Sequence, residues 1–200
     1  MPHTEAEAKS ILAPYMDHLG RVFPAAWGLW EEFGEKMPGA RLQTSLRSRA
    51  SLLNDFGAAA AEEIFRDTDV VLTDQPGFLL MVFDSKLHVR LKKYRDRTCR
   101  TSGIPTTQRE MFELQQPMLT NFPKTSNCVF GYVLKRDASG YLETPVNCST
   151  GKIRHWKIDV PLPEAGKVEG LEKPRKEASA PGLSSSLTDD ERAEEGGVSD

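Results

Sequence analysis

Between Lys86 and Arg109 eight lysines and arginines stand against a single acid, Asp96. Their spacing suggests one surface. Arg90 and Lys92 lie two apart in the alternating run Leu87–Lys93, which would put both on the wet face of a strand. Lys93 follows, and the next loop carries Arg95, Arg97 and Arg100. Thr107-Gln108-Arg109-Glu110 then matches the S/T-x-x-E capping box, the signature of a helix start. Such a start presents free N–H groups and a partial positive charge. If hairpin and helix start converge, Arg90, Lys92, Lys93, Arg95, Arg97, Arg100, Thr107 and Gln108 form an anion site. A nucleic-acid phosphate is the first expected occupant, with Tyr94 placed to stack on a base. An acidic protein partner is the second. On either reading, alanine at Arg90, Lys92 and Lys93 is expected to weaken binding without unfolding the chain. The opposite view makes these cations a solvated strand face paired with acids elsewhere.

A different chemistry is suggested just upstream. Phe78–Lys86 is an apolar run that ends in acid-x-Lys, the shape of the key strand in PD-(D/E)xK nucleases. Asp74 lies ten positions before Asp84, and Glu62 or Glu63 stands on the preceding helical segment. Two of these acids would hold Mg²⁺, and Lys86 would orient the attacking water. Asp84-Ser85 also reads as an ordinary hairpin turn, which accounts for the alternation on both sides of it. Asp55 is a candidate ion-pair partner for the basic hairpin. His3, His18, His88 and His155 show no ligand spacing. Cys99, Cys128 and Cys148 are odd in number and far apart, which argues against a disulfide framework or a CxxC zinc site.

The elements that must position these residues fall into two halves. Pro14 and Pro24 each suit a first helical position, and each precedes apolar residues at helical spacing. Met37-Pro38-Gly39 closes the second of these helices. Leu53, Phe56, Gly57, Ala60 and Ile64 form the stripe of a third, capped by Ser45 or Ser48 and ending near Asp67. The period then drops from 3.6 to 2. Strands are expected at Val70–Thr73, Phe78–Phe83, Leu87–Leu91 and beyond, Val129–Leu134, Tyr141–Cys148 and Ile153–Val160. A short helix is inserted from Thr107 to Gln116. The fold class predicted is α+β: N-terminal helices, then a mostly antiparallel sheet of five or six strands with one inserted helix.

Composition limits the folded part to residues 1–162. That stretch carries 21 Lys+Arg and 19 Asp+Glu, whereas residues 163–200 carry 5 and 10 and no aromatic residue. So little apolar surface cannot offset ordering entropy, and the segment reads as a disordered acidic tail. Removing residues 165–200 is therefore expected to shift the melting temperature by no more than a few degrees, a calorimetric test of whether the tail docks. No apolar run reaches the length of a signal peptide or a membrane span, and the expectation is a cytoplasmic protein.

Four segments, "RASLLNDF" at Arg49–Phe56, "FLLMVFDSKLHVRLKKY" at Phe78–Tyr94, "TSGIPTTQ" at Thr101–Gln108 and "GYVLKRDASGYLE" at Gly131–Glu143, resemble an uncharacterised family of bacterial and prophage proteins. Its members sit beside helix-turn-helix regulators and IrrE-type metallopeptidases. Arg90, Lys92, Lys93, Pro105, Thr106 and Gln108 match its pattern. The family's second acid and following arginine are replaced here by Ser85 and Lys86, which weakens the nuclease reading. The resemblance implies a role in a regulatory, toxin–antitoxin-like or phage-defence locus, with a regulator or metallopeptidase of that locus as partner. The residues themselves point first to a non-enzymatic binding protein without cofactor. The alternative is a Mg²⁺-dependent nuclease built on Glu63, Asp74, Asp84 and Lys86.

Overall fold

The computed structural model describes residues 2–75, 77–101, 106–115, 125–136 and 139–163, with residues 108 and 109 described by their backbone alone. Apart from Pro163, the acidic segment lies outside these residues, as does the expected helix end at Gln116.

Four helices come first: α1 (Glu5–Leu12), α2 (Met16–Lys36), α3 (Pro38–Gln43) and α4 (Leu46–Ile64), with a 3₁₀ turn at Ala13–Tyr15. Six strands follow: β1 (Val71–Gln75), β2 (Phe78–Phe83), β3 (Leu87–Lys93), β4 (Ser126–Leu134), β5 (Tyr141–Thr150) and β6 (Ile153–Val160). A short helix, α5 (Thr107–Glu113), lies between β3 and β4. The strands form one sheet in chain order. Every neighbouring pair is antiparallel except β3–β4, which is parallel. The fold is therefore α+β, with a mostly antiparallel sheet. Among the described residues no helix is long and apolar enough to cross a membrane.

Local chemistry accounts for most of these elements. Thr4 and Glu7 form a reciprocal capping box that starts α1. Ser45 caps α4 by accepting from the Ser48 N–H at 3.1 Å. Asp84 and Ser85 both have positive φ, 49° and 52°, as the central residues of a type I′ turn require, and Lys86 N–H closes that turn on the Phe83 carbonyl at 2.9 Å within the three-residue connection from β2 to β3.

Pro24 departs from its expected place. It lies inside α2, which runs unbroken for 21 residues, and does not begin a second helix. An internal proline costs about 3 kcal/mol. The neighbouring Phe23 offsets it by full burial, with its ring centroid 4.6 Å from that of Phe130 and 5.0 Å from that of Tyr132. α2 does end where Met37-Pro38-Gly39 is expected to close it, and the chain re-enters a helix, α3, at Pro38.

The main core lies between one face of the sheet and α1, α2 and α4. Leu87, Val89 and Leu91 of β3 meet Phe130 and Tyr132 of β4 and Leu53 of α4 there. The other face of the sheet is not wet throughout. Phe78 and Leu80 of β2 are covered by Phe112 of α5 in a second, smaller apolar cluster. A third joins Tyr94, Cys99 and Val133. This second layer decides what the basic segment does.

Candidate functional site

Arg90 does not lie on a wet face. It is 6% exposed, with its guanidinium carbon 3.7 Å from the ring centroid of Phe78 and 4.9 Å from that of Phe112. The covering helix turns an outward arginine into a cationic spacer between two aromatic faces. Lys92 and Lys93 are partly buried, and as consecutive strand residues they project from opposite faces. Tyr94 is 1% exposed and donates its hydroxyl hydrogen to the Val129 carbonyl at 2.6 Å, so it stacks on no ligand base.

The start of α5 itself offers an anion little. The helix has only seven residues, too few for a strong dipole. Glu110 N–H donates to the Thr106 carbonyl at 2.9 Å, so Thr106, one residue before the expected Thr107, takes the cap position and Thr107 is the first helical residue. Thr107 is exposed, and the side chain of Gln108 lies outside the described residues.

What remains of the basic segment is its loop, held in a defined shape. Tyr94 and Thr101 form a β-bridge, and Arg95 N–H donates to the Arg100 carbonyl at 2.9 Å. Asp96 accepts from the Thr98 hydroxyl and, at 2.7 Å, from the Thr98 N–H. Those two bonds, the hydroxyl first, hold its carboxyl below the usual range, and Arg100 and Arg95 add to the effect. The one acid of the loop is thus occupied locally. Cys99 turns inward at φ 59°, and burial pushes its thiol up, away from thiolate chemistry. Arg95, Arg97 and Arg100 remain exposed.

A second basic segment meets this loop. Lys152 stands in the β5–β6 turn and Arg154 near the start of β6, both exposed. The Arg154 guanidinium donates to the Thr98 carbonyl at 2.5 Å, and Gly151 N–H donates to the Glu113 carbonyl at 3.0 Å. These two bonds clasp the loop and the end of α5 to the β5–β6 turn. Between them lies a recess of about 610 Å³, with Arg100, Lys152 and Arg154 on its walls. Among the described residues none of Arg95, Arg97, Arg100, Lys152 and Arg154 belongs to an ion pair. Lys152, Arg154 and the recess itself do not figure in the sequence reading. Their only linear signal is two cations two apart after a Ser-Thr-Gly turn.

The nuclease residues are not brought together. Asp74 pairs in register with Leu79 at one end of β2, while Asp84 follows Phe83 at the other. Five residues of strand, ~17 Å, separate those two positions. Lys86 pairs with Asp84 at 2.5 Å on the exposed hairpin tip, and Glu63 pairs with Arg66 on α4. Glu62 is exposed. Among the described residues no three His, Cys, Asp or Glu side chains are grouped to hold a metal ion. Asp55 is exposed and makes none of the described ion pairs, so it is not the partner of the hairpin. Cys128 and Cys148, twenty positions apart in sequence, face each other directly across β4 and β5 as buried free thiols.

No protein-family model, curated protein or solved structure matches this chain.

Proposed function

We propose that this protein is a non-enzymatic binding protein that holds the phosphate backbone of nucleic acid on the rim formed by Arg95, Arg97, Arg100, Lys152 and Arg154. The observation that carries the reading is the convergence of two sequence-distant basic segments on one edge. Their five cations are exposed and unpaired by carboxylates among the described residues. Four of the five are arginines, whose planar fork suits bidentate contact with phosphate. The loop's own acid, Asp96, is engaged by Thr98, so it competes weakly for these guanidinium groups.

The test is fluorescence anisotropy on a labelled oligonucleotide of about 20 nucleotides, titrated across a range of salt. Each phosphate contact contributes roughly 0.7–0.9 to the log–log salt slope. Replacing Arg95, Arg97 and Arg100 together by alanine is expected to lower that slope by roughly 2–3 and affinity near 0.1 M salt by roughly 100-fold. The melting temperature should stay put, because all three side chains are exposed. A triple variant that binds with the wild-type slope overturns the reading. A shallow dependence confined to the association rate would point instead to an acidic protein partner.

A further inference from the structure

Among the described residues on the outer face of the sheet, the amides of Asn127 and Gln115 are engaged and the oxygen of Asn147 is not. Asn127 donates its amide N–H to the Phe112 carbonyl at 3.1 Å. Gln115 accepts from Asn127 N–H at 2.7 Å and donates to the carbonyls of Asn127 and Ser149 at 2.6 and 2.9 Å. Asn147 is different. It lies opposite Val129 across β4 and β5 and is 5% exposed, yet its Oδ1 has no hydrogen-bond partner among the described residues. It lines the recess between the basic loop and the β5–β6 turn. An amide with no partner for its oxygen is not locked about its terminal torsion, so it can turn either its acceptor or its donor end to the opening.

The recess therefore asks two things of a ligand. Arg100, Lys152 and Arg154 on its walls require an anion. The Asn147 oxygen requires an N–H or O–H donor, which a backbone phosphodiester lacks. At about 610 Å³ the space is also far larger than one phosphate and falls within the range of small-molecule sites. Val129 supplies an apolar patch beside the amide. The guanidinium planes of Arg100 and Arg154 are surfaces on which an unpaired base can stack. Glu113, the one carboxylate among the described wall residues, accepts from the Thr101 hydroxyl at 3.5 Å.

We infer that the recess is a site for one nucleotide unit, its phosphate on the Arg100–Lys152–Arg154 wall and its base edge on the Asn147 amide. Asparagine pairs with base edges through adjacent donor and acceptor groups, so the site discriminates among bases. For its phosphate contact the inference rests on the rim reading above. The nucleotide comes from one of two sources, a free mononucleotide or an unpaired position of a strand.

Calorimetric titration of the full chain with AMP, CMP, GMP, UMP, ribose 5-phosphate and inorganic phosphate tests the base contact. At least one nucleotide is expected to bind about tenfold more tightly than ribose 5-phosphate. Asn147→Ala should reduce that ratio to below about threefold and leave ribose 5-phosphate unchanged. Removing an unsatisfied group does not threaten folding, and Asn147→Asp, which also puts a carboxylate in front of the phosphate, serves as a second variant. A second arm compares a single-stranded oligonucleotide with its duplex and with the same strand made abasic. A strand source predicts loss of affinity in the duplex and abasic forms. A free-nucleotide source predicts no such loss, together with displacement of a labelled mononucleotide by unlabelled nucleotide. Equal binding of nucleotides and ribose 5-phosphate, with the intact strand matched by its abasic form, overturns the inference. If the strand still binds with a salt slope that depends on Arg95, Arg97 and Arg100, only the nucleotide site has fallen. If no phosphate-bearing probe binds at all, both have.

Discussion

Replacing Arg90 by alanine is expected to destabilise the protein by about 3 kcal/mol and to loosen α5 from the sheet. The guanidinium lies between Phe78 of β2 and Phe112 of α5, so it joins the short helix to the strands beside the Asn127 and Gly151 hydrogen bonds. A desolvated cation–π contact is worth about 2 kcal/mol, and the buried aliphatic stem adds packing that alanine loses. Methionine at the same position keeps the stem and removes the cost of burying a charge, so Arg90→Met should lose only about half as much. Lysine should not substitute, because its ammonium lacks the planar face that stacks between rings. Urea unfolding measures the global change, and hydrogen exchange at the α5 amides measures the local one. Unchanged stability in Arg90→Ala would show that the Phe78–Phe112 contact and the Asn127 and Gly151 hydrogen bonds hold the helix without the guanidinium. This changes what a combined alanine substitution of Arg90, Lys92 and Lys93 reports: its largest effect should fall on stability and not on ligand binding. The exposed loop arginines are the better probe of function.

Gly131→Ala is expected to cost about 3 kcal/mol, at the upper end for overpacking, and to lower oligonucleotide affinity as well. Gly131 of β4 pairs with Lys92 of β3, and the Tyr94 ring occupies the space a side chain there would take. A methyl group there would overlap Cε2 of that ring and lie 2.6 Å from the Lys92 carbonyl oxygen. The carbonyl belongs to a paired strand and cannot move, so the ring must. Tyr94 anchors the basic loop through its hydroxyl on Val129 and its contact with Cys99 and Val133. Displacing it therefore disturbs Arg95–Arg100 as a unit. Adding Tyr94→Ala to Gly131→Ala should cost less than the sum of the two single changes, since the clashing ring is already gone. Strict additivity in denaturant unfolding, or full affinity in Gly131→Ala, would count against the anchor.

The strands show where local chemistry suffices. β2 and β6 occupy Phe78–Phe83 and Ile153–Val160, the bounds that alternation and turn residues imply. The Asp84-Ser85 turn follows from Asp84, which tolerates positive φ better than most residues, and from Ser85, a common turn residue. Such signals act within a few residues, so no distant partner is needed to read them. α1 is not among the helices expected from Pro14 onward; Thr4 and Glu7 carry its capping signal, but its polar composition hides a face of only two buried residues, Ala8 and Leu12. The continuity of α2 through Pro24 was not legible, because it depends on burial of Phe23 against strands more than a hundred positions away.

The site divides in the same way. That the chain concentrates cations between Lys86 and Arg109 is a property of the sequence, and Arg95, Arg97 and Arg100 stay exposed as a charged loop should. Which of the remaining cations meet solvent depends on what covers the second face of the sheet. Alternation marks Arg90 as lying on the face opposite Leu91; it does not show that Phe112 lies over it. Likewise, Lys152 and Arg154 join the rim only because β6 pairs beside β5 and the loop folds back onto that turn. Asn147 is an unremarkable strand residue until the amides around it are found to be engaged and its oxygen is not. Residue type and period determine which way a side chain points from its own strand. Only packing between elements far apart in the chain decides whether water, an aromatic ring or a ligand meets it there.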